Sequence, residues 1–107
     1  MYEMDLWAFR AWLQSCPAEE TVGWATQETG CPVARWMNGL YHRDFRVAGN
    51  WIYVDDIVPL AFCPPLWVLA FMIELDGRYD CYPVSVSAAS ALQVLDEMLI
   101  ELGYGPL

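Results

Sequence analysis

The stretch FRVAGNWIYVD, residues 45–55, predicts a β-hairpin, and the rest of the chain has to be arranged around it. Trp51–Val54 consists of aromatic and β-branched residues, which favour strands, and Phe45–Ala48 is also strand-like. Gly49 and Asn50, which lie between these segments, form a two-residue turn signal that joins antiparallel strands.

Helices are expected on both sides of this hairpin in the sequence. Apolar residues at helical spacing predict them at about 5–14, 32–40, 66–75 and 88–102. The last helix has the clearest ends, with Ser87 as its N-cap and Gly103 as its C-terminal stop. The third helix is apolar on all sides for two turns, which predicts a central and buried position. Residues 18–30 are expected to form mostly a loop, and residues 81–84 a short strand.

Together these elements predict a single α+β domain over residues 1–107. About four helices would pack with a small antiparallel hairpin or sheet.

The composition indicates a folded and strongly acidic protein. Of the 107 residues, 57% are hydrophobic, and 14 Asp and Glu face five Arg without a single Lys, which gives a formal net charge of −9. Residues 47–107 hold eight acids against Arg78 alone, a net charge of −7. Direct binding to nucleic acid or to an anionic membrane is therefore not expected, because both require clustered Lys and Arg.

One uncharged run, Ile57–Ile73, is at the short limit for a membrane-spanning helix. Pro59, Pro64 and Pro65 interrupt it, which favours a buried loop followed by a core helix. The first residues, MYEMDLWAF, are acidic where a secretory leader would be basic. A cytoplasmic protein is expected on these grounds.

The cysteines are Cys16, Cys31, Cys63 and Cys81, and no two of them have the CxxC spacing of a typical structural zinc site. His42 is the one histidine of the chain. Neither a metal nor another cofactor is expected, and the four cysteines are interpreted as free and mostly buried thiols.

A second interpretation of the cysteines starts from their neighbours, since Cys16, Cys31 and Cys63 each precede a proline. If each thiol lies at or near a helix N-terminus, the helix dipole would lower its pKa and favour the thiolate. A redox sensor, or haem coordination through a Cys-Pro pair, is therefore an alternative function.

A catalytic centre is difficult to assemble from these residues. A histidine-based triad would have to use His42, and its neighbour Asp44 is two residues away, a spacing that does not bring side chains face to face on a helix. The chain has no glycine-rich phosphate loop and no DxDxDG-type calcium loop. The protein is expected not to be an enzyme.

The main functional hypothesis concerns the carboxylates that flank the ends of the hairpin and the third helix, together with aromatic residues of the hairpin. The expected partner-binding residues are Asp55, Asp56, Glu74, Asp76, Asp80, Trp51 and Tyr53. If the carboxylates share one face, they would attract a basic protein surface, such as the nucleic-acid-binding groove of another protein. A phage-type inhibitor or counter-defence (anti-CRISPR-like) protein would act in this way, an analogy that rests on size and charge. The alternative is an ordinary solvated face that aids solubility.

A further alternative is a structural or self-associating protein without catalytic function. Six Trp, six Tyr and four Phe supply a large apolar area, and a domain of this size does not bury all of it in one core. The surplus predicts a pocket, a partner-binding patch or a homodimer face.

Several short segments resemble a loose group of short, uncharacterised bacterial and phage proteins. The parallels are Val22-Gly23, the helix start Cys31-Pro32-Val33-Ala34-Arg35-Trp36, Pro65-Leu66-Trp67-Val68, and Val86-Ser87-Ala88 with Ala91-Leu92. Val33 and Ser87 stand where the group's pattern has Leu and Thr. The resemblance implies one domain of bacterial or phage origin, and it implies no activity and no catalytic residue.

Overall fold

The computed structural model describes residues 2–48, 50–55, 59–79 and 82–104. Its elements are, in chain order, α1 Leu6–Ser15, β1 Thr21–Trp24, α2 Pro32–Tyr41, β2 Asp44–Ala48, β3 Trp51–Asp55, β4 Leu60–Phe62, α3 Leu66–Arg78, β5 Ser85–Ser87 and α4 Ala88–Glu101. They confirm the predicted α+β class, with two small antiparallel sheets in place of one.

The predicted hairpin is present and is one residue longer at each outer end. β2 and β3 pair in antiparallel register, from Asp44 opposite Asp55 to Ala48 opposite Trp51. β4 adds a third strand on the other side of β3, with Ala61 opposite Tyr53. β4 was not predicted from the sequence, because this strand has only three residues and prolines lie close to both of its ends.

A second sheet joins β1 to β5. The loop predicted for residues 18–30 is therefore wrong at 21–24, and the strand predicted at 81–84 lies at 85–87 instead. β1 contains Gly23, which favours neither a strand nor a helix, so the strand forms because β5 supplies its hydrogen-bond partners. A Cβ atom at Gly23 would lie 2.5 Å from the Pro32 nitrogen, so only glycine allows β1 this close to the start of α2.

Local capping explains several of the helix ends. Asp5 accepts a hydrogen bond from the Ala8 N–H at 3.1 Å, and Ser87 accepts one from the Ser90 N–H at 3.1 Å. α2 ends at His42, which adopts a left-handed conformation with φ of 54°. Gly103, with φ of +93°, follows the end of α4.

The core lies between the helices and the inner face of the three-stranded sheet, and its largest fully buried side chains include Phe9, Phe45 and Phe71. α3 is not the central helix that its composition predicted. Leu66 and Ile73 are each 73% exposed, because α3 covers the core with one side only. Among the described residues, no helix combines the length and the apolarity that crossing a bilayer requires.

Candidate functional site

The outer face of the three-stranded sheet presents an unusual set of side chains to solvent. Side chains on β2 and β3 alternate between the two faces, with Val47 and Ile52 among those buried on the inner side. Trp51 and Tyr53 lie on the outer face and are 49% and 37% exposed. Two large aromatic rings are therefore available for contact on one small surface.

Cross-strand register brings two carboxylates together on this face. Asp44 lies directly opposite Asp55, and both are exposed. Like charges in directly opposed positions destabilise a sheet. No ion pair joins either carboxylate to an arginine within the described ranges. Neither carboxylate is therefore neutralised by an ion pair among the described residues.

The next pair along the same face consists of Arg46 opposite Tyr53. The Arg46 guanidinium carbon lies 4.4 Å from the centroid of the Tyr53 ring, within the range of a cation–π contact. Arg46 also forms a long ion pair of 3.8 Å with Glu28, and both side chains are at least half exposed. These contacts place a positive charge on an aromatic face beside the two aspartates.

A cavity of about 460 Å³ opens over these residues. Asp44, Arg46, Tyr53 and Asp55 line it from β2 and β3, Thr29 from the loop before α2, and Pro59, Leu60 and Ala61 from the β4 side. We call this feature the sheet groove. The Glu28 carbonyl accepts a hydrogen bond from the Val47 N–H at 2.8 Å, which fastens the loop to the free edge of β2.

The structure brings together three of the residues predicted to bind a partner. Tyr53 and Asp55 line the sheet groove, and Trp51 lies two residues before Tyr53 on the same face of β3. Asp44 and Arg46 were not among the predicted residues. The alternation of the hairpin would have identified Arg46, and extending β2 by one residue would have placed Asp44 opposite Asp55.

The remaining predicted residues lie elsewhere. Glu74 is on α3 and does not line the groove. The Asp76 carboxylate accepts a hydrogen bond from the Thr26 N–H at 2.9 Å, which ties α3 to the loop after β1. Asp56 and Asp80 lie outside the described residues.

Two of the three acids of α4 are paired with arginines of other helices. Arg10 on α1 donates from Nε and Nη2 to the two oxygens of Asp96, at 2.8 and 3.1 Å. Arg78 on α3 pairs with Glu97. These carboxylates hold helices together, so they are less available to a partner than Asp44 and Asp55.

Cys16 and Cys31 do not have the low pKa that their proline neighbours suggested. Cys31 is the N-cap of α2 and accepts a hydrogen bond from the Ala34 N–H at 3.4 Å, but its burial raises the thiol pKa to about 11. Cys16 follows the C-terminal end of α1, and burial, reinforced by Glu20, raises its pKa as well. The alternative interpretation, with thiolates at these positions, is wrong for Cys16 and Cys31, because burial raises the pKa of Cys31 despite its place at a helix start and no helix begins at Cys16. Cys63 is exposed, and Cys81 lies outside the described residues.

His42 is exposed at the end of α2. Within the part of the chain that the structure describes, no three His, Cys, Asp or Glu side chains converge as metal ligands would. No family model, curated protein or solved structure matches this chain. The resemblance to short bacterial and phage proteins therefore stays a prediction.

Proposed function

We propose that this protein is a non-catalytic binding module that docks on a basic surface of another protein through the sheet groove. The observation that supports this proposal most is the opposed pair of Asp44 and Asp55, which lies next to the exposed ring of Tyr53 without an arginine partner among the described residues.

A pair of carboxylates without an ion-pair partner costs folding free energy, because like charges in directly opposed strand positions destabilise a sheet. An arginine or lysine from a partner would remove this cost on binding. The bound state would therefore gain an interaction that the free protein lacks, and the Tyr53 ring beside it would supply the kind of desolvated contact that concentrates binding energy.

Because the groove is acidic, it repels phosphate groups and attracts cationic side chains. A partner that itself binds nucleic acid presents such side chains on its surface. We favour one form of this function, an inhibitor that covers the nucleic-acid-binding surface of its target. A phage counter-defence protein would act in this way. The cytoplasm is the compartment we assign, since Cys16, Cys31 and Cys63 are free thiols.

The test is a capture experiment on bacterial lysate with three immobilised proteins: wild type, Asp55→Lys and Glu101→Lys. Glu101 is exposed at the end of α4 and outside the groove, so its variant has the same net charge as Asp55→Lys. We expect a specific protein to be retained by wild type and Glu101→Lys, released as salt rises towards physiological strength, and bound at least tenfold more weakly by Asp55→Lys. Equal loss in both variants would mean that overall charge, and not the groove, binds the partner.

Self-association is a second candidate, favoured by α3. Leu66 and Ile73 are the most exposed large apolar side chains of the described residues, and both lie on this helix. An apolar stripe of this kind is typical of a homodimer face.

A further inference from the structure

We infer that Arg46 is an internal competitor for the cationic side chain that the sheet groove binds, and that this side chain is an arginine. This inference rests on the proposed function, because it assigns the ligand chemistry of the same groove. Arg46 would thus weaken the binding of the protein to its partner.

Arg46 already occupies the aromatic part of the groove. Its guanidinium lies over the Tyr53 ring at 4.4 Å, so the ring accepts a planar cation from this direction. The contacts that hold Arg46 there are weak. Its ion pair with Glu28 is 3.8 Å long, and the two side chains are 50% and 56% exposed. A second cation can therefore displace it at small cost.

The geometry of the four central side chains explains the competition. Asp44 and Asp55 form one cross-strand pair, and Arg46 and Tyr53 form the next pair on the same face. A cation that binds between the aspartates lies beside the Tyr53 ring and also beside the Arg46 guanidinium. The aspartates therefore attract the bound cation while Arg46 repels it. The repulsion ends only when the Arg46 side chain leaves the Tyr53 ring.

The same arrangement favours arginine over lysine. A guanidinium is planar, carries five N–H donors, and can bind carboxylates while its face stacks on an aromatic ring. A lysine ammonium is a compact and strongly hydrated charge, which gains less from the ring. Since Tyr53 and the two aspartates line one cavity, a guanidinium can contact the ring and the carboxylates at once.

The test uses the full chain and two defined probes, the capped peptide Gly-Arg-Gly-Arg-Gly and its lysine counterpart. Binding is followed by the shifts of backbone amide signals of β2 and β3 in NMR titrations. The proteins are wild type, Arg46→Gln, Arg46→Lys and Arg35→Gln. Arg35 is exposed on α2 and does not line the groove, so its variant controls for the loss of one positive charge.

We expect Arg46→Gln to bind the arginine peptide about two- to fivefold more tightly than wild type, which corresponds to the removal of one exposed cation–π contact. Arg35→Gln should bind like wild type, Arg46→Lys should lie between wild type and Arg46→Gln, and the lysine peptide should bind more weakly throughout. The Arg46 side chain is half exposed, and unchanged amide signals outside the groove will show that each variant is folded.

Equal affinities of Arg46→Gln and Arg35→Gln would overturn the competition, and so would the absence of peptide binding to Arg46→Gln. Equal binding of the two peptides would overturn the preference for arginine. The proposed function is tested separately by Asp55→Asn. If that variant binds less peptide while Arg46→Gln shows no gain, the groove still binds cations and only the role of Arg46 is wrong.

Discussion

At the scale of single residues, the environment of a side chain decides its chemistry more than its sequence neighbours do. Cys31 precedes a proline and caps a helix, a position that would lower a thiol pKa on a protein surface. It is also fully buried, and burial disfavours the thiolate. The same motif at Cys63 leaves that thiol exposed. A Cys-Pro pair therefore does not specify reactivity by itself.

This difference predicts how stability changes in alkaline solution. Burial raises the pKa of Cys31 from 9.0 to about 11, so above pH 9 the thiol ionises in the unfolded chain while the folded protein keeps it neutral. The neutral Cys31 thiol therefore contributes to the free energy of unfolding below pH 9. This contribution is lost as the pH rises towards 11, a loss of roughly 2–3 kcal/mol. Denaturant titrations of wild type and Cys31→Ala should show a steeper decline for wild type in this range. An equal decline of the free energy of unfolding in both proteins would contradict the raised pKa of Cys31.

At the scale of elements, β1 lies close to the start of α2, and a glycine at the contact makes this possible. Gly23 has no room for a side chain, because the backbone of residues 30–32 lies against it. Gly39, on the exposed side of α2, has no atom within 4 Å of a Cβ position. The two glycines thus have different roles. Gly23 allows β1 and the start of α2 to come close, whereas Gly39 only weakens the helix in which it lies.

We expect opposite effects from the same substitution at these two positions. Gly23→Ala should lower the free energy of unfolding by about 1–3 kcal/mol, since the new methyl group collides with main-chain atoms that cannot move independently. Gly39→Ala should raise it by about 0.5–1 kcal/mol, because alanine favours a helix more than glycine does. Thermal and urea unfolding followed by circular dichroism would measure both. A neutral Gly23→Ala would show that β1 does not pack against α2 in this way.

At the scale of the whole molecule, the few arginines decide where negative charge remains. The radius of gyration of 13.1 Å is that of a compact chain of this length. Arg10 and Arg78 neutralise acids of α4, and Arg46 lies on Tyr53. The acids are spread over the surface, and in the groove two of them lie opposite each other without an ion pair among the described residues.

This charge distribution also bears on self-association. With a net charge of −9, we expect a monomer at micromolar concentration and moderate salt, because two copies repel each other. Sedimentation equilibrium of wild type and Ile73→Glu would measure this. A dimer in wild type that is lost in Ile73→Glu would favour the second candidate function, with α3 as the interface.

Part of the candidate site was predictable from sequence. The turn residues and the alternation of β3 place Trp51, Tyr53 and Asp55 on one face, and the structure agrees. The opposition of Asp44 to Asp55 depends on the register of the whole hairpin, and a one-residue error in the start of β2 conceals it. The ion pairs that occupy Asp96 and Glu97 were also not predictable, because their arginines lie on other helices.

The amino-acid sequence alone determined the hairpin, the four helices, the N-cap of the last helix and the excess of negative charge. These features depend on residues within one or two turns of each other, and local propensity and periodicity encode them. The tertiary structure decided that β1 exists, since its partner β5 is more than sixty residues away, and that α3 lies at the surface. It also decided which carboxylates stay unpaired, because ion pairs across the fold depend on how the elements pack and not on their order in the chain.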